Sequence, residues 1–195
     1  MKIQDGRTPF EIFRAQRFLG NSRIAPCSKI LKQKVARKFI ESNYLPSQVT
    51  LFVGIDWSEI HRLPKIKTGW LPFTVEAPLC EPPYGDKLSW MVQIQDLDIE
   101  IPSLYSKGFP HNNCGGGCVR AGKAQWRKLL QLYPDRFSQW ENHEQEMREM
   151  LGKDITILRN STLKELRASV EKESEYGIQI DLFDFGGCGC FSDFD

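Results

Sequence analysis

Four of the six cysteines stand in two tight clusters, Cys114-Gly-Gly-Gly-Cys118 and Cys188-Gly-Cys190, while Cys27 and Cys80 stand alone. Four thiolates can close one tetrahedral site, because zinc accepts four sulfurs at about 2.3 Å without demanding a particular loop. The glycines between them remove side-chain bulk and admit positive φ, so both sulfurs of a cluster can turn to one point. The first spacing is ordinary for zinc; the second is tighter than usual. A [4Fe–4S] cluster also takes four cysteines, and Cys27 or His111 could then replace one of the four. The metal reading therefore assigns Cys114, Cys118, Cys188 and Cys190 to zinc or to a [4Fe–4S] cluster.

Other readings of the same residues stand beside it. Cys114 and Cys118 could instead be working thiols that cycle through an internal disulfide. Buried free cysteines are common as small hydrophobes. That account suits Cys80, but it suits the clusters poorly, since their flanking glycines add no core. Cys118 is expected near a helix N-terminus, which would lower its thiolate pKa. His111, just upstream of Cys114, is a further candidate ligand or proton carrier, and His143 is expected to face solvent on a charged helix.

A second constellation follows a strand. Val49 to Ile55 is a short apolar run rich in β-branched residues, which predicts a strand buried on both faces, as in a parallel sheet. Asp56, Glu59, His61 and Arg62 come directly after it. Open α/β sheets bind ligands just past such strand ends, and Arg62 could hold an anion bidentately. The same residues also suit an ordinary helix N-terminal turn, where acidic groups favour the dipole.

These residues need elements to position them. Thr8-Pro9-Phe10-Glu11 reads as a capping box opening a helix that ends at Gly20. A second helix follows Pro26-Cys27-Ser28, with Ile30, Leu31, Val35, Phe39 and Ile40 at helical spacing. Its lysines and arginines from Lys29 to Lys38 read as a solvated face or as an anion-facing patch. Phe73 to Ala77 is a second strand candidate, and Asp86 can cap a helix to about Leu97. A loop spans Gly108 to Gly117. Helical patterns then run to Leu132 and, after Pro134, to about Leu151. Ile155 to Leu158 is a third strand candidate, and Ser161 to Glu165 opens a last helix ending near Glu173. The aromatic, glycine-rich tail from Asp181 is expected to pack back on the body.

Composition limits the function classes. With 195 residues and 41% hydrophobic content the chain can bury a core without staples. A formal net charge of +1 argues against a binder with a large basic field but leaves room for a local patch. No apolar run reaches the roughly 20 residues of a membrane span, and Met1 to Gly6 lacks a signal-peptide core. The expectation is a cytoplasmic chain with no membrane association. It divides softly into 1–105, an α/β part, and 106–195, a helical part carrying the cysteine clusters.

At Cys27-Ser28-Lys29-Ile30-Leu31-Lys32 and at Gly54-Ile55-Asp56-Trp57-Ser58-Glu59-Ile60-His61-Arg62 the chain resembles the phosphoadenosine phosphosulfate (PAPS) reductase-like family. The resemblance extends to a phage and bacterial branch through Gly108 to Cys118 and Gly186 to Phe191. It implies a partial Rossmann-like parallel sheet of the adenine-nucleotide α-hydrolase type, with a C-terminal helical, cysteine-rich region. It also implies sulfur transfer or reduction of an activated sulfate, with ATP or PAPS as the adenine nucleotide. By resemblance Cys27, Glu59 and Arg62 are catalytic, and Lys32, Asp56 and Arg62 hold the nucleotide or anion. The family's Ser-Gly-Gly loop, whose backbone N–H groups wrap the phosphates, has no counterpart here. A partner or an upstream segment is expected to supply that loop and its strands. The alternative is a non-catalytic, zinc-clipped module that binds nucleic acid or protein.

Overall fold

The structure is a computed structural model that describes residues 4–85 and 87–176. Cys188, Cys190, the aromatic tail and the Asp86 cap lie outside these residues. Among the described residues the chain divides into two compact units, an α/β unit formed by residues 4–5 with 28–101 and a helical unit formed by residues 6–27 with 102–176.

In the α/β unit the described sheet has two short parallel strands, β1 (Thr50–Phe52) and β2 (Thr74–Glu76). Leu51 stands opposite Val75 and Phe52 opposite Glu76. Between them run a 3₁₀ segment, Trp57–Arg62, and helix α4 (Leu63–Trp70), with Pro64 in its first turn. Parallel strands need such a crossover, because a tight hairpin cannot join them. Ile66 and Trp70, one helical turn apart, pack with Ile55, Val75, Ala77 and Cys80 into the core of this unit. The strand run is shorter than its sequence suggests: Ile55 is buried, but Phe52 is 68% exposed.

The second helix is built in three pieces, α2 (Pro26–Ser28), a π-helical stretch Lys29–Lys34 and α3 (Val35–Asn43). The division between units falls inside this run, between Cys27 and Ser28. Lys29, Lys34 and Lys38 are exposed, as a solvated face requires. Arg37 is structural instead: it lies 5.0 Å from the centre of the Trp70 ring, donates to the Gly69 carbonyl, and pairs with Glu41 at 2.9 Å. Helix α5 (Lys87–Asp96) follows β2.

The helical unit begins with α1 (Pro9–Gln16), which carries the expected capping box between Thr8 and Glu11. The remaining helices are α6 (Ser103–Ser106), α7 (Lys123–Leu132), α8 (Pro134–Leu151) and α9 (Leu163–Tyr176). Trp126 is fully buried at the centre, with the Phe137 and Trp140 rings edge-on at 6.1 and 5.5 Å. Phe13, Leu129 and Leu163 complete the same core. Ile155 to Leu158 does not form a strand; Leu158 makes one isolated bridge to Ser161. His143 is not simply solvent-facing, since its ring stacks on Phe10 at 3.7 Å and it bonds Glu146 at 3.0 Å. No helix among the described residues is long and apolar enough to cross a membrane.

Arg127 on α7 grips Glu173 on α9 with both terminal guanidinium nitrogens, the longer contact being 2.8 Å. Hydrogen bonds from Arg127 and then Ser169 hold the Glu173 carboxyl down at about 2. A folded-state pKa below the unfolded one gives stability that is present above the ordinary carboxylate range. It is lost as pH falls toward about 2. Glu173→Gln is expected to cost about 1 kcal/mol at neutral pH, a modest value for a partly exposed pair. Urea midpoints of variant and wild type should converge in acid.

Candidate functional site

The first cysteine cluster is a tight turn. A 3₁₀ segment, Asn113–Gly116, contains Cys114 at φ 51° and Gly115 at φ 61°, and Gly116 follows at φ 92°. Three successive residues on the left-handed side reverse the chain sharply, and such a run is costly for any residue with a Cβ. The Gly117 N–H closes the turn on the Cys114 carbonyl at 3.2 Å.

Side chains of two helices hold this turn from behind. Arg136, in the first turn of α8, donates to the Gly115 carbonyl, and Gln125 of α7 donates to the Gly116 carbonyl at 2.7 Å. Gln125 is fully buried. A Cβ at Gly117 would overlap the Trp140 indole, so that glycine lets the backbone approach the core. The turn presents Cys114 outward, exposed, and Cys118 inward at 3% exposure. Cys27 is partly buried and packs against the apolar cluster to which Cys118 belongs. His111 is buried in the same unit. Cys118 does not sit at a helix N-terminus: α7 opens at Lys123, with Gly122 as its cap.

The second constellation lies in the α/β unit. Asp56 caps the 3₁₀ segment, accepting from the Ser58 N–H at 2.9 Å and the Ser58 hydroxyl at 2.6 Å. Glu59 pairs with Arg62, one turn along. The local role read for these residues, an N-terminal turn, is therefore present. Lys32 is half-buried on the π-helical stretch. Cys80 is buried, and its thiol donates toward the Ile55 and Asp56 carbonyls at 3.4 and 3.3 Å. Burial pushes this thiol's pKa up, and the charges of Asp56, Glu59 and Glu81 add to the effect. A thiol kept protonated is a packing group, not a nucleophile.

Cys114, Cys118, His111 and Cys27 thus belong to the helical unit, and Lys32, Asp56, Glu59 and Arg62 to the α/β unit. Among the described residues no group of three or more histidine, cysteine, aspartate or glutamate side chains is gathered for a metal ion. Cys188 and Cys190 are not among them. The residues that sequence reasoning missed are Gln125 and Arg136. Neither carries a spacing signal, because each reaches the turn from a helix later in the chain. Comparison with protein-family models, characterised proteins and solved structures finds no match.

Proposed function

We propose that the chain is a PAPS reductase-like protein of the adenine-nucleotide α-hydrolase type, acting in cytoplasmic sulfur transfer or reduction, with a thiolate-held centre in its helical unit. The observation that carries this reading is the 113–117 turn. Its backbone is bent by Cys114 and two glycines on the left-handed side, and Arg136 and Gln125 fix its carbonyls. Cys114 and Cys118 bracket this turn, and thiolates suit a soft metal; the exposed Cys114 and the buried Cys118 would have to turn to one point to share it. Cys114 and Cys118 would hold it together with Cys188 and Cys190. When bound, zinc supplies a structural clip and a [4Fe–4S] cluster supplies an electron.

The α/β unit is the nucleotide-facing part of this reading. Its β1–α4–β2 crossover is the unit from which Rossmann-like sheets are built. Parallel sheets ordinarily have both faces covered, yet Phe52 of β1 is 68% exposed. Further strands and a phosphate loop, from an upstream segment or a partner, would complete it. Lys32 and Arg62 then hold phosphate or sulfate, and Asp56 and Glu59 fix the segment that carries Arg62. Cys27, on the run that continues to Lys32, handles sulfur.

One observation favours the second reading, a non-catalytic zinc-clipped module: Asp56 and Glu59 are engaged in a cap and an ion pair. Metal analysis and an absorption spectrum of protein purified without oxygen separate the two. About four irons per chain with a broad band near 400 nm is the expected result for the redox centre. One zinc and no visible band would place the clipped module first. Cys114→Ser and Cys118→Ser should each lose the metal. Metal-free wild type, or variants that keep full metal content, would overturn both readings.

A further inference from the structure

Two aromatic rings of the α/β unit meet at its surface. Trp57 is 47% exposed and Tyr84 63% exposed, and their ring centres lie 6.3 Å apart with the planes at 60°. The Trp57 indole N–H donates to the Gly85 carbonyl at 3.1 Å, and the Trp90 indole donates to the same oxygen. One edge of the Trp57 ring is therefore held while nearly half of the residue stays open.

The surroundings are acidic. The Cys80 thiol donates toward the Ile55 and Asp56 carbonyls, which brings residue 80 against the chain just before Trp57. Glu81 follows Cys80 and stands three residues before Tyr84. Asp56, Glu59 and Glu81 all act on the Cys80 thiol, so three carboxylates share this neighbourhood. Glu59 pairs with Arg62. Asp56 accepts from the Ser58 N–H and hydroxyl, neutral donors that leave its charge in place. Glu81 is exposed and pairs with no cation among the described residues.

The chain shows twice what a ring and a carboxylate hold together. Arg37 lies 5.0 Å from the centre of Trp70 and pairs with Glu41 at 2.9 Å. Arg167 lies 5.1 Å from the centre of Phe137 and pairs with Glu141 at 2.7 Å. The ring attracts the guanidinium through its quadrupole, and the carboxylate accepts its N–H groups. Trp57 and Tyr84 have the rings and the carboxylates without the arginine. Among the described residues no cation lies over either ring. The remaining residues, 1–3, 86 and 177–195, contain no arginine.

We propose that Trp57 and Tyr84, flanked by Asp56 and Glu81, form a docking site for an arginine side chain of a partner protein. A quaternary ammonium could use the rings but has no N–H to give the carboxylates. A lysine ammonium is compact and more strongly hydrated, so it gains less on a ring face. Two half-exposed rings cannot enclose a small molecule, which ordinarily loses most of its surface to its pocket. The arginine therefore arrives on a chain that covers further surface, including Ile60, 49% exposed on the same 3₁₀ segment. Tryptophan, tyrosine and arginine are the residues that dominate interface energetics. The site does not rest on the metal or nucleotide reading.

The test titrates the isotope-labelled full chain with N-acetyl-arginine amide and follows the Trp57 indole signal by NMR. Loss of one indole signal in Trp57→Leu identifies it. The signal should move with a millimolar dissociation constant. N-acetyl-citrulline amide, the uncharged isostere, should bind about fivefold more weakly. N-acetyl-lysine amide should also bind more weakly than arginine. Tyr84→Leu should weaken arginine binding about threefold while Tyr84→Phe keeps it. Glu81→Gln should weaken it about twofold, and Glu100→Gln, away from the rings, should leave it unchanged. Thermal melts confirm that each variant is folded. A Trp57 signal that stays still up to the solubility limit of the probe overturns the proposal. Citrulline binding as tightly as arginine would reduce the site to an apolar patch and overturn it too, and equal binding of lysine would overturn the choice of a guanidinium. Movement of the Trp57 signal on raising protein concentration alone would place a second copy's arginine there and overturn the foreign partner.

Discussion

Glu144→Ala is expected to lower the melting temperature of the helical unit by roughly 10 °C, the consequence of losing about 3 kcal/mol. Glu144 is 2% exposed on α8, and its carboxylate accepts the Ile157 N–H at 2.7 Å and the Leu163 N–H at 2.6 Å. The second of these is the first residue of α9, so one buried acid ties the 152–162 connection and the start of the next helix to α8. Removing it strands two buried donors and opens a cavity. Glu144→Gln keeps the volume but turns an N–H₂ toward one of the two donors, and about 2 kcal/mol should be lost. The acid also leaves a pH signature. Burial raises its pKa, and the Ile157 and Leu163 N–H groups oppose this without overcoming it. Its folded-state pKa therefore lies above the unfolded one. The stability linked to its protonation is complete below the unfolded pKa and is lost as pH climbs through the folded one. This slope is opposite to that of Glu173. Denaturant midpoints of wild type and Glu144→Gln, followed from acid to neutral pH, should show the slope in wild type and its absence in the variant.

Gly117→Ala should be the most damaging single methyl group in the cysteine turn. The added Cβ would sit 2.7 and 2.8 Å from two further atoms of the Trp140 ring, besides overlapping its nitrogen. The indole cannot retreat, because Phe10 packs at 4.4 Å and Trp126 at 5.5 Å from its centre. Overpacking of this kind costs about 3 kcal/mol when the neighbours are fixed. Gly115→Ala makes a useful contrast. Its new Cβ meets only the Arg136 guanidinium, at 3.0 Å, at the end of a flexible side chain. The cost there is the left-handed backbone, about 1 kcal/mol. Thermal melts should rank the two variants in that order. If the turn is the seat of a metal, bound metal should fall more in Gly117→Ala than in Gly115→Ala. Equal melting temperatures would contradict the close packing described for Trp140.

Signals in the sequence are legible where the chemistry is local. Thr8 and Glu11 announce their capping box, Pro134 marks the break between α7 and α8, and Thr162 with Glu165 opens α9. What depends on remote partners was not legible in the same way. Val49 to Ile55 reads as a doubly buried strand, but three residues pair and Phe52 faces outward. Nothing in that run says which layers are present to cover it. The cysteine turn shows the same limit: its glycines point to a tight reversal, while the hands that hold it, Gln125 and Arg136, lie on later helices. Glu144 did leave a trace. Phe137, Trp140, Glu144 and Met147 share the buried stripe of α8, and an acid on an apolar stripe is a sign of buried backbone donors waiting for an acceptor.

The pairing of α1 with α8 also fixes an order of events during synthesis. Arg14 and Glu146, which join these helices, stand 132 residues apart in the chain. At ribosomal rates that interval takes on the order of ten seconds. Throughout it Phe10 and Phe13 have no Trp140 or Phe137 to pack on, and the intervening residues 28–101, contiguous in sequence, can close on themselves first. The nascent chain thus carries an unsatisfied aromatic helix, α1, while the residues after it are made, a natural target for a chaperone, and α1 is secured only once α8 is available.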